Sequence, residues 1–327
     1  MPLVLASPFL LAPMAGLSTA GVRALCLRLG AGAASTGLVD AAGLAGGSAG
    51  SLRRAHRGED AGPQILQLFA AEAGILGRAV RRAGELGFQG VELNLGCPAG
   101  PVVERGCGSA LLGHWDTVRS LLDALATAGL PAGVKCRSGR RPGDEDFLIL
   151  HGLAAERGLD WYCLHPRSLA GAYHEPPDWS LVDRLPRTGP RLWAVGDLCD
   201  APAARAALER HPALEAVLIG RAALSAPWIF ALCQGRPAPE PAEQAAHLTE
   251  LLTALASDLD WQEGRRILPG LLRHFGLPAG EDAQFRLADR RRSGQWQALL
   301  LERLQAGPLP VMRDNPFLKQ GASPSPR

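Results

Sequence analysis

Four polar residues in this sequence stand in or directly after short apolar runs, where a rigid backbone could aim them at a substrate. They are Asn94, Cys97, Lys135 and His165. An amide forms directional hydrogen bonds, a thiol or an imidazole transfers protons, and an ammonium stabilises negative charge. Side chains at the carboxyl ends of parallel strands commonly carry catalysis. The four residues are therefore candidates for one site.

The segment around Cys97 has the strongest local signal. The pattern predicts a buried strand that ends at Asn94 and a turn at Gly96, and Cys97 precedes Pro98. Taken alone, Cys97 is as well explained as an inert buried thiol, which is the commonest state of a free cysteine. His165 likewise fits a hydrogen-bonded core histidine.

Lys135 stands out by residue usage. Thirty-two of the 34 basic residues are arginine, and the only lysines are Lys135 and Lys319. A compact ammonium differs chemically from a planar guanidinium, and an unpaired ammonium is costly to bury. We therefore expect Lys135 to point into a barrel or at a ligand.

Eight apolar runs alternate with helical patterns along the chain. Continuous apolar strands between helices indicate a parallel sheet that is covered on both faces. Eight such units in about 235 residues predict a closed TIM (β/α)8 barrel. No G-x-G-x-x-G follows the first run, which argues against a dinucleotide-binding open sheet. The runs are Phe9–Pro13, Ala33–Val39, Gln64–Phe69, Gly90–Leu95, Gly133–Cys136, Trp161–His165, Leu192–Val195 and Ala216–Ile219. Helices are predicted over Ala20–Leu29, Glu72–Leu86, Ser109–Ala128, Glu145–Arg157, Ser180–Arg184 and Pro202–Arg210.

The pattern changes after the barrel. Residues 1–234 are predicted to form the catalytic barrel, and residues 235–241 a proline-rich linker. Residues 242–310 show only helical periodicity, which predicts a small all-helical C-terminal domain. Residues 311–327 are predicted to be a disordered tail because they include a Ser/Pro-rich end.

Composition excludes several classes of protein. The chain has 327 residues, 47% hydrophobic and 20% charged, with a net charge of +2. Its seven scattered cysteines contain no C-x-x-C pair, so neither a zinc site nor a redox dithiol is indicated and we predict no metal. Free thiols suit a reducing compartment, and no apolar run is long enough to span a membrane. We therefore expect a cytoplasmic protein without a membrane partner.

An arginine-rich segment lies in the helical region. The arginines singled out there are Arg265, Arg266, Arg290 and Arg291. Such a run is commonly an ordinary solvated helix face. Its alternative interpretation is a surface that contacts phosphates.

The strand ends together indicate a planar cofactor that carries a phosphate. Proline and small residues after the first strand, Pro13, Met14 and Ala15, would let a flat ring lie against the backbone, and Gln67 could hydrogen-bond a ring edge. Glycines at the ends of strands seven and eight occur where barrels commonly bind phosphate. Combined with Lys135 and His165, this outline predicts flavin mononucleotide (FMN), whose ring a nearby charge would tune.

Several motifs resemble the tRNA-dihydrouridine synthase family over residues 10 to 230, in the family's order. They are Ala12-Pro13-Met14-Ala15-Gly16, Gln67-Leu68, Leu93-Asn94-Leu95-Gly96-Cys97-Pro98, Gly106-Cys107-Gly108-Ser109-Ala110-Leu111-Leu112, Val134-Lys135-Cys136-Arg137-Ser138-Gly139 and Ile219-Gly220-Arg221-Ala222-Ala223-Leu224. The helical C-terminal domain also fits, since family members use one to hold tRNA. The helix near Arg265–His274 resembles the bacterial subgroup that modifies position 16.

The resemblance implies a mechanism and a set of site residues. NADPH reduces FMN, the reduced flavin passes hydride to C6 of a uracil base in tRNA, and Cys97 protonates C5. The base must leave its stack to reach the barrel. A D-loop uridine such as U16 is the implied target, and a monomer is the implied state. Asn94, Arg167 and Tyr173 are the implied substrate contacts, and FMN would be held by Pro13, Met14, Ala15, Gln67, Lys135, His165, Val195, Gly196, Asp197, Gly220 and Arg221.

The sequence also departs from the family's pattern. Val195 replaces the usual asparagine of strand seven and cannot hydrogen-bond through its side chain, Gly37 replaces a glutamate, Thr19 an aspartate and Ser168 a threonine. Two alternatives therefore stay open. One is an FMN oxidoreductase that acts on a free pyrimidine or another small substrate, and the other is a degenerate family member that binds RNA without reducing it.

Overall fold

The computed structural model describes residues 2–58, 61–171, 174–275, 277 and 293–306, with the backbone alone at 293–297. Nine strands lie in one parallel sheet. They are β1 Phe9–Leu11, β2 Ala34–Ser35, β3 Val39–Asp40, β4 Gln64–Phe69, β5 Gly90–Asn94, β6 Ala132–Arg137, β7 Trp161–His165, β8 Arg191–Ala194 and β9 Leu214–Ile219. All eight predicted apolar runs contain strand residues.

The sheet closes into a barrel. β1 pairs with β9 through Leu10 and Leu218 and with β2 through Leu11 and Ala34. The short β2 and β3 both pair with β4, so they form one barrel position that is interrupted at residues 36–38. The predicted eight-unit barrel is confirmed, with its second strand broken into two pieces.

Helices follow the strands and cover the barrel, as expected for strands that are buried on both faces. They are α1 Ala20–Arg28, α2 Ala41–Ala45, α3 Ala49–Arg54, α4 Ala73–Glu85, α5 Gly100–Val103, α6 Trp115–Ala126, α7 Asp146–Glu156, α8 Ser180–Asp183, α9 Ala201–Arg210, α10 Arg221–Ser225 and α11 Ile229–Cys233. Their apolar faces join the outward strand side chains in the main core.

The prediction of one helix was inexact, and two short helices were not predicted. The expected helix over Ser109–Ala128 is a 3-10 turn at Gly108–Leu111 followed by α6, because the chain extends at Leu112 and turns at Gly113, where φ is +89°. The glycine-rich stretch before Arg57 holds the two short helices α2 and α3, which start at side-chain caps from Asp40 and Ser48. Low helix propensity hid them from sequence reading.

The barrel interior is filled at its amino end by aromatic rings. Trp161 and Trp193 stack with ring centroids 4.8 Å apart. A Cβ atom at Gly133 would lie 2.3 Å from the indole Nε1 of Trp161, so only glycine fits beside that ring. This packed floor confines an open site to the carboxyl ends of the strands.

After the barrel, the described residues form three helices: α12 Pro241–Asp258, α13 Trp261–His274 and α14 Ser293–Gln305. Residues 236–240 before them have no regular structure. The apolar positions predicted to share helix faces are buried, namely Ala245, Leu248, Leu251, Leu252 and Leu255 on α12 and Ile267, Leu268, Leu271 and Leu272 on α13. The helical pattern is confirmed, and the domain boundaries stay predictions.

Helices α12 and α13 dock beside the carboxyl end of the barrel. The backbone N–H of Gly21 on α1 donates to Asp258 Oδ2 at 2.8 Å, and a Cβ at Gly21 would lie 2.6 Å from the Cβ of Ala254. Arg53 and Arg54 of α3 form ion pairs with Asp260 and Glu263 at 2.7 and 2.6 Å. His274 Nε2 lies 3.1 Å from Ser225 Oγ on α10. The three barrel elements follow β1, β3 and β9, so α12 and α13 border the mouth.

Among the residues that the structure describes, no helix is both long and apolar enough to cross a membrane. The same residues contain no cluster of three or more His, Cys, Asp or Glu side chains that could hold a metal ion.

Candidate active site

The turn after β5 is built by Asn94. Its Oδ1 accepts the backbone N–H groups of Gly96 at 3.0 Å and of Cys97 at 2.8 Å. A side chain that accepts from residues two and three ahead replaces lost strand hydrogen bonds and fixes the turn. Asn94 thereby sets where Cys97 leaves the strand.

Two glycines allow this turn to pack closely. A Cβ at Gly96 would lie 3.0 Å from the backbone N of Arg137, so the turn runs directly over β6. Gly108 has φ +61°, and its Cβ would lie 2.8 Å from the carbonyl O of Cys97. The N–H of Ser109 donates to that carbonyl at 3.1 Å. The 3-10 turn therefore supports the cysteine from behind.

The Cys97 side chain is half-buried. Burial raises the pKa of the Cys97 thiol above its ordinary value of 9.0, an effect that Lys135 and Arg137 partly oppose. The thiol is consequently protonated at neutral pH and available as a proton donor.

Lys135 lies on β6 opposite Asn94 of β5 and Cys163 of β7. It is half-buried, and its ammonium makes no hydrogen bond or contact ion pair with any described residue. Its charge acts on the pKa values of Glu92, Cys97 and His165, which places it centrally in the site. A half-buried ammonium without a contact partner fits a site that receives an electron-rich ligand.

Gln67 lies beside Asn94 and joins it to the barrel interior. Gln67 Oε1 accepts from Asn94 Nδ2 at 3.1 Å, and Gln67 Nε2 donates to Glu92 Oε1 at 2.5 Å. Both amides are buried and largely satisfied by these bonds. One N–H of each amide stays available for a ligand.

A charged cluster occupies the ends of β7, β8 and β9. Both Arg167 and Arg221 donate to the Asp197 carboxylate, with the Arg221 Nη2 to Asp197 Oδ1 distance at 2.7 Å. Burial alone would raise the pKa of Asp197, but the two guanidinium groups hold it below its ordinary value. Asp197 adopts φ +46°, which is uncommon for a residue with a side chain.

His165 stands beneath this cluster. Its pKa lies well below 6.5, first because it is buried and then because Lys135, Arg137, Arg167 and Arg221 surround it. Its Nε2 lies 3.2 Å from Arg167 Nη1, which can only donate, so Nε2 is the acceptor and the ring is neutral.

The turn after β1 presents the remaining predicted cofactor residues. Ser18 Oγ donates to Ala12 O at 2.9 Å and accepts the N–H of Met14 at 3.0 Å, which fixes the turn. Met14 is buried, Pro13 half-buried and Ala15 exposed. A Cβ at Gly220 would lie 3.5 Å from Met14 Sδ, so the ends of β1 and β9 meet here.

Of the other predicted residues, Val195 and Gly196 lead from β8 into Asp197, two arginines lie on α13, and three lie outside the described residues. Val195 is half-buried and packs against the barrel interior, while a Cβ at Gly196 would lie 2.9 Å from Pro177 Cβ. Arg265 and Arg266 are exposed on α13, where the Arg265 guanidinium lies 5.5 Å from the Trp261 ring centroid. Tyr173, Arg290 and Arg291 lie outside the described residues.

Sequence reasoning missed Glu92 and Ser18. Glu92 is an acid inside an apolar strand, the same signal that pointed to Lys135, and it could have been found on that ground. Ser18 carries no such signal, because its role depends on how the turn closes.

A closed parallel barrel with polar groups at its carboxyl ends defines a protein of the (β/α)8 enzyme class. A family model described as "Dihydrouridine synthase (Dus)" matches residues 10–286. The chain therefore belongs to the dihydrouridine synthase family, as its motifs predicted.

Curated relatives agree with this assignment. The chain is 33% identical to tRNA-dihydrouridine synthase B of Pseudomonas putida over 256 residues, which cover 75% of each protein. It is 33% identical to the protein of the same name from Pseudomonas aeruginosa over 232 residues, 70% of this chain and 69% of the relative. The protein of that name from Xanthomonas axonopodis pv. citri is 29% identical over 328 residues, covering 96% and 98%.

Solved structures with low identity support the fold alone. The 6-hydroxypseudooxynicotine amine oxidase of Pseudomonas geniculata N1 matches with a TM-score of 0.57 and 13% identity, covering 94% of this chain and 66% of that chain. Histamine dehydrogenase from Rhizobium sp. 4-9 matches with a TM-score of 0.56 and 12% identity, covering 79% and 50%.

Proposed function

We propose that this protein reduces uridine in tRNA to 5,6-dihydrouridine, using FMN and NADPH, with Cys97 as the proton donor. The observation that carries the proposal is the half-buried thiol of Cys97, which the turn fixed by Asn94 holds just beyond the carboxyl end of β5. The charge of Lys135 acts on this thiol. The names of the curated relatives support tRNA as the substrate.

The residues at the mouth fit FMN. Lys135 supplies an ammonium with no contact partner among the described residues, Arg221 supplies a guanidinium at the end of β9, and the turn after β1 supplies small groups against which a ring could lie. The residues that would hold the cofactor are Pro13, Met14, Ala15, Gln67, Lys135, His165, Val195, Gly196, Asp197, Gly220 and Arg221. When bound, FMN would supply the hydride that adds to C6 of the uracil ring, with NADPH as the reductant.

Cys97 supplies the proton that the reaction needs at C5. Its raised pKa keeps the proton on sulfur until C5 of the uracil ring, made basic by hydride addition at C6, takes it. Lys135 stabilises negative charge nearby, and neutral His165 offers hydrogen bonds without adding a further cation.

Asn94, Arg167 and Tyr173 are the proposed substrate contacts, and exposed Arg265 and Arg266 are proposed to meet tRNA phosphates together with Arg290 and Arg291. Arg167 is already held by Asp197, so it would act as a fixed donor. A helix that borders the mouth is well placed to orient RNA toward Cys97. Position 16 as the target, a monomeric state and a cytoplasmic location complete the proposal.

Mass-spectrometric mapping of dihydrouridine tests the proposal. We would compare tRNA from a strain that lacks this gene with tRNA from the same strain carrying the parent gene or the Cys97→Ala variant. We expect one position to lose dihydrouridine and to regain it only with the parent gene. If no tRNA position changes, and purified protein neither contains nor takes up FMN, the proposal is wrong and an RNA-binding role is favoured.

A further inference from the structure

A continuous chain of hydrogen bonds runs from the barrel floor to Cys97. Trp161 Nε1 donates to Glu92 Oε2 at 3.1 Å, and Gln67 Nε2 donates to Glu92 Oε1 at 2.5 Å. Asn94 Nδ2 donates to Gln67 Oε1 at 3.1 Å. Asn94 Oδ1 then accepts the N–H groups of Gly96 and Cys97.

Both ends of this chain can only donate. The Trp161 indole N–H and the backbone N–H of Cys97 have no acceptor capacity. The amides of Gln67 and Asn94 can face either way, so neither of them determines a direction. An ionised Glu92, which only accepts, is the member that allows both ends to donate at once.

We propose that ionised Glu92 is a positioning residue for Cys97: it orients the Gln67 and Asn94 amides so that the Asn94 oxygen holds the turn that carries the thiol. The catalytic meaning of this proposal rests on the function proposed above. The direction in which the hydrogen bonds of this chain donate can be tested without any substrate.

The surroundings of Glu92 bear on its ionisation. Burial raises the pKa of Glu92 above its ordinary 4.5, while Lys135 and the hydrogen bonds from Gln67 and Trp161 oppose that effect. The groups facing it are Gln67 on β4, Lys135 on β6, and Trp161 and Cys163 on β7. Both carboxyl oxygens accept hydrogen bonds, which is the arrangement of the ionised form.

Glu92→Gln is nearly isosteric, but it replaces an accepting oxygen with an NH₂ group that can only donate. The hydrogen-bond chain then has more donors than it can pair with acceptors. If the new oxygen accepts from Trp161, the new NH₂ group faces Gln67, which must then reverse. Asn94 must reverse in turn and direct its NH₂ at the N–H of Cys97. Any arrangement of this variant leaves two donors facing each other, which costs a buried hydrogen bond.

Asn94→Asp supplies the compensating change. In the double variant Glu92→Gln/Asn94→Asp, the new amide on β5 accepts from Trp161 and donates to Gln67. Gln67 then donates to the new carboxylate at the end of β5, and that carboxylate still accepts both turn N–H groups. Each donor again has an acceptor, the direction of the inner bonds is reversed, and the total charge is that of the parent.

Hydrogen exchange of the Gly96 and Cys97 backbone amides in the full-length protein without tRNA provides the test. We expect about tenfold faster exchange in Glu92→Gln, from the loss of a buried hydrogen bond at the turn, and a rate within about twofold of the parent in the double variant. Unchanged exchange in Glu92→Gln, or effects that simply add in the double variant, would overturn the proposal. If a single variant does not fold, recovery of folding by the double variant supports the proposal, and failure to recover counts against it.

Steady-state kinetics tests whether the hydrogen-bond chain matters for the proposed reaction. In a parent that forms dihydrouridine, we expect Glu92→Gln to lower kcat with an unchanged KM for tRNA. A parent without this activity would refute the proposed function, while the exchange measurements would still decide whether Glu92 orients the turn. Faster exchange of the Gly96 and Cys97 amides with an unaltered kcat would show that the hydrogen-bond chain has a structural role only.

Discussion

At the scale of single residues, the site depends on the state of one thiol. Of the seven cysteines, only Cys97 and Cys199 are not buried. We expect Cys97→Ala to retain FMN and to lower dihydrouridine formation by about 10²–10⁴-fold, the usual worth of a general acid. Single-turnover reduction of tRNA with flavin content measured in parallel checks this.

Cys199→Ala is the matched control, because it removes the other thiol that is not buried. It should reduce tRNA at close to the parent rate. Comparable yields from the Cys97→Ala variant and the parent would refute the role of Cys97 as proton donor.

The buried Glu92 makes stability depend on pH. Its pKa is raised in the folded protein above the ordinary value of 4.5, so the folded state holds this proton more tightly than the unfolded chain. The resulting stabilisation is fully present below about pH 4.5 and is lost as pH rises through the folded pKa. Relative to Glu92→Gln, the parent should therefore become less stable as pH increases across that range.

Urea unfolding of both proteins at a series of pH values measures this difference. Glu104→Gln reports what removing an exposed carboxyl does under the same conditions. A parent that gains stability relative to Glu92→Gln as pH rises would contradict the expected sign.

Individual residues were predictable where a motif named them. The sequence named Asn94, Cys97, Lys135 and His165 as site candidates, and the structure brings them to neighbouring strands. The hydrogen-bond partners of the site residues were not predictable. Asp197 contacts both Arg167 and Arg221 only because the loops after three strands bring them together. The predicted roles of these residues await experiment.

At the scale of elements, the turn at Gly108 supports the cysteine loop. Gly106 and Gly108 have similar positive φ values, +66° and +61°, but a Cβ at Gly106 meets nothing within 4 Å, whereas one at Gly108 would lie 2.8 Å from Cys97 O and from Val102 Cγ1. Both Ala substitutions should cost about 1 kcal/mol for the backbone conformation. Only Gly108→Ala should displace the loop and lower turnover.

Thermal unfolding and kcat of Gly106→Ala and Gly108→Ala separate the two effects. Equal losses of kcat in both variants would show that backbone conformation, rather than contact with Cys97, is what matters. An unchanged kcat in Gly108→Ala would show that the turn does not support the loop.

Elements were predicted well where periodicity was strong. The barrel strands are continuous apolar runs, and the long helices α1, α4, α7 and α9 fall where their patterns indicated. The broken second strand, α2 and α3 were missed because glycine-rich segments carry little periodicity and form through caps and tertiary contacts.

At the scale of the whole molecule, α13 is held at the mouth by ion pairs on one side and exposes arginines to solvent. We expect Arg265→Ala/Arg266→Ala to weaken tRNA binding and to make log Kd less salt-dependent, by about one unit of slope for each lost phosphate contact. Flavin content should not change. Titration of tRNA at several salt concentrations measures both quantities.

Arg82→Ala is the control, because Arg82 is an exposed arginine on α4 that pairs with Glu85. It should leave the salt dependence as in the parent. An Arg265/Arg266 variant that binds tRNA with parental affinity and slope would remove this face of α13 from the proposed interface.

The pairing of β1 with β9 has a consequence for how the protein is made. Phe9 of β1 pairs with Val217 of β9. During translation, β1 therefore cannot pair with β9 until more than two hundred further residues have been made. At about 5–20 residues per second that interval is roughly 10–40 s, during which two sheet edges stay unpaired. Helices α12 and α13 emerge only afterwards and dock onto a barrel that can already close. A nascent chain halted before β9 should therefore be a target for chaperones, whereas one halted after α11 should not.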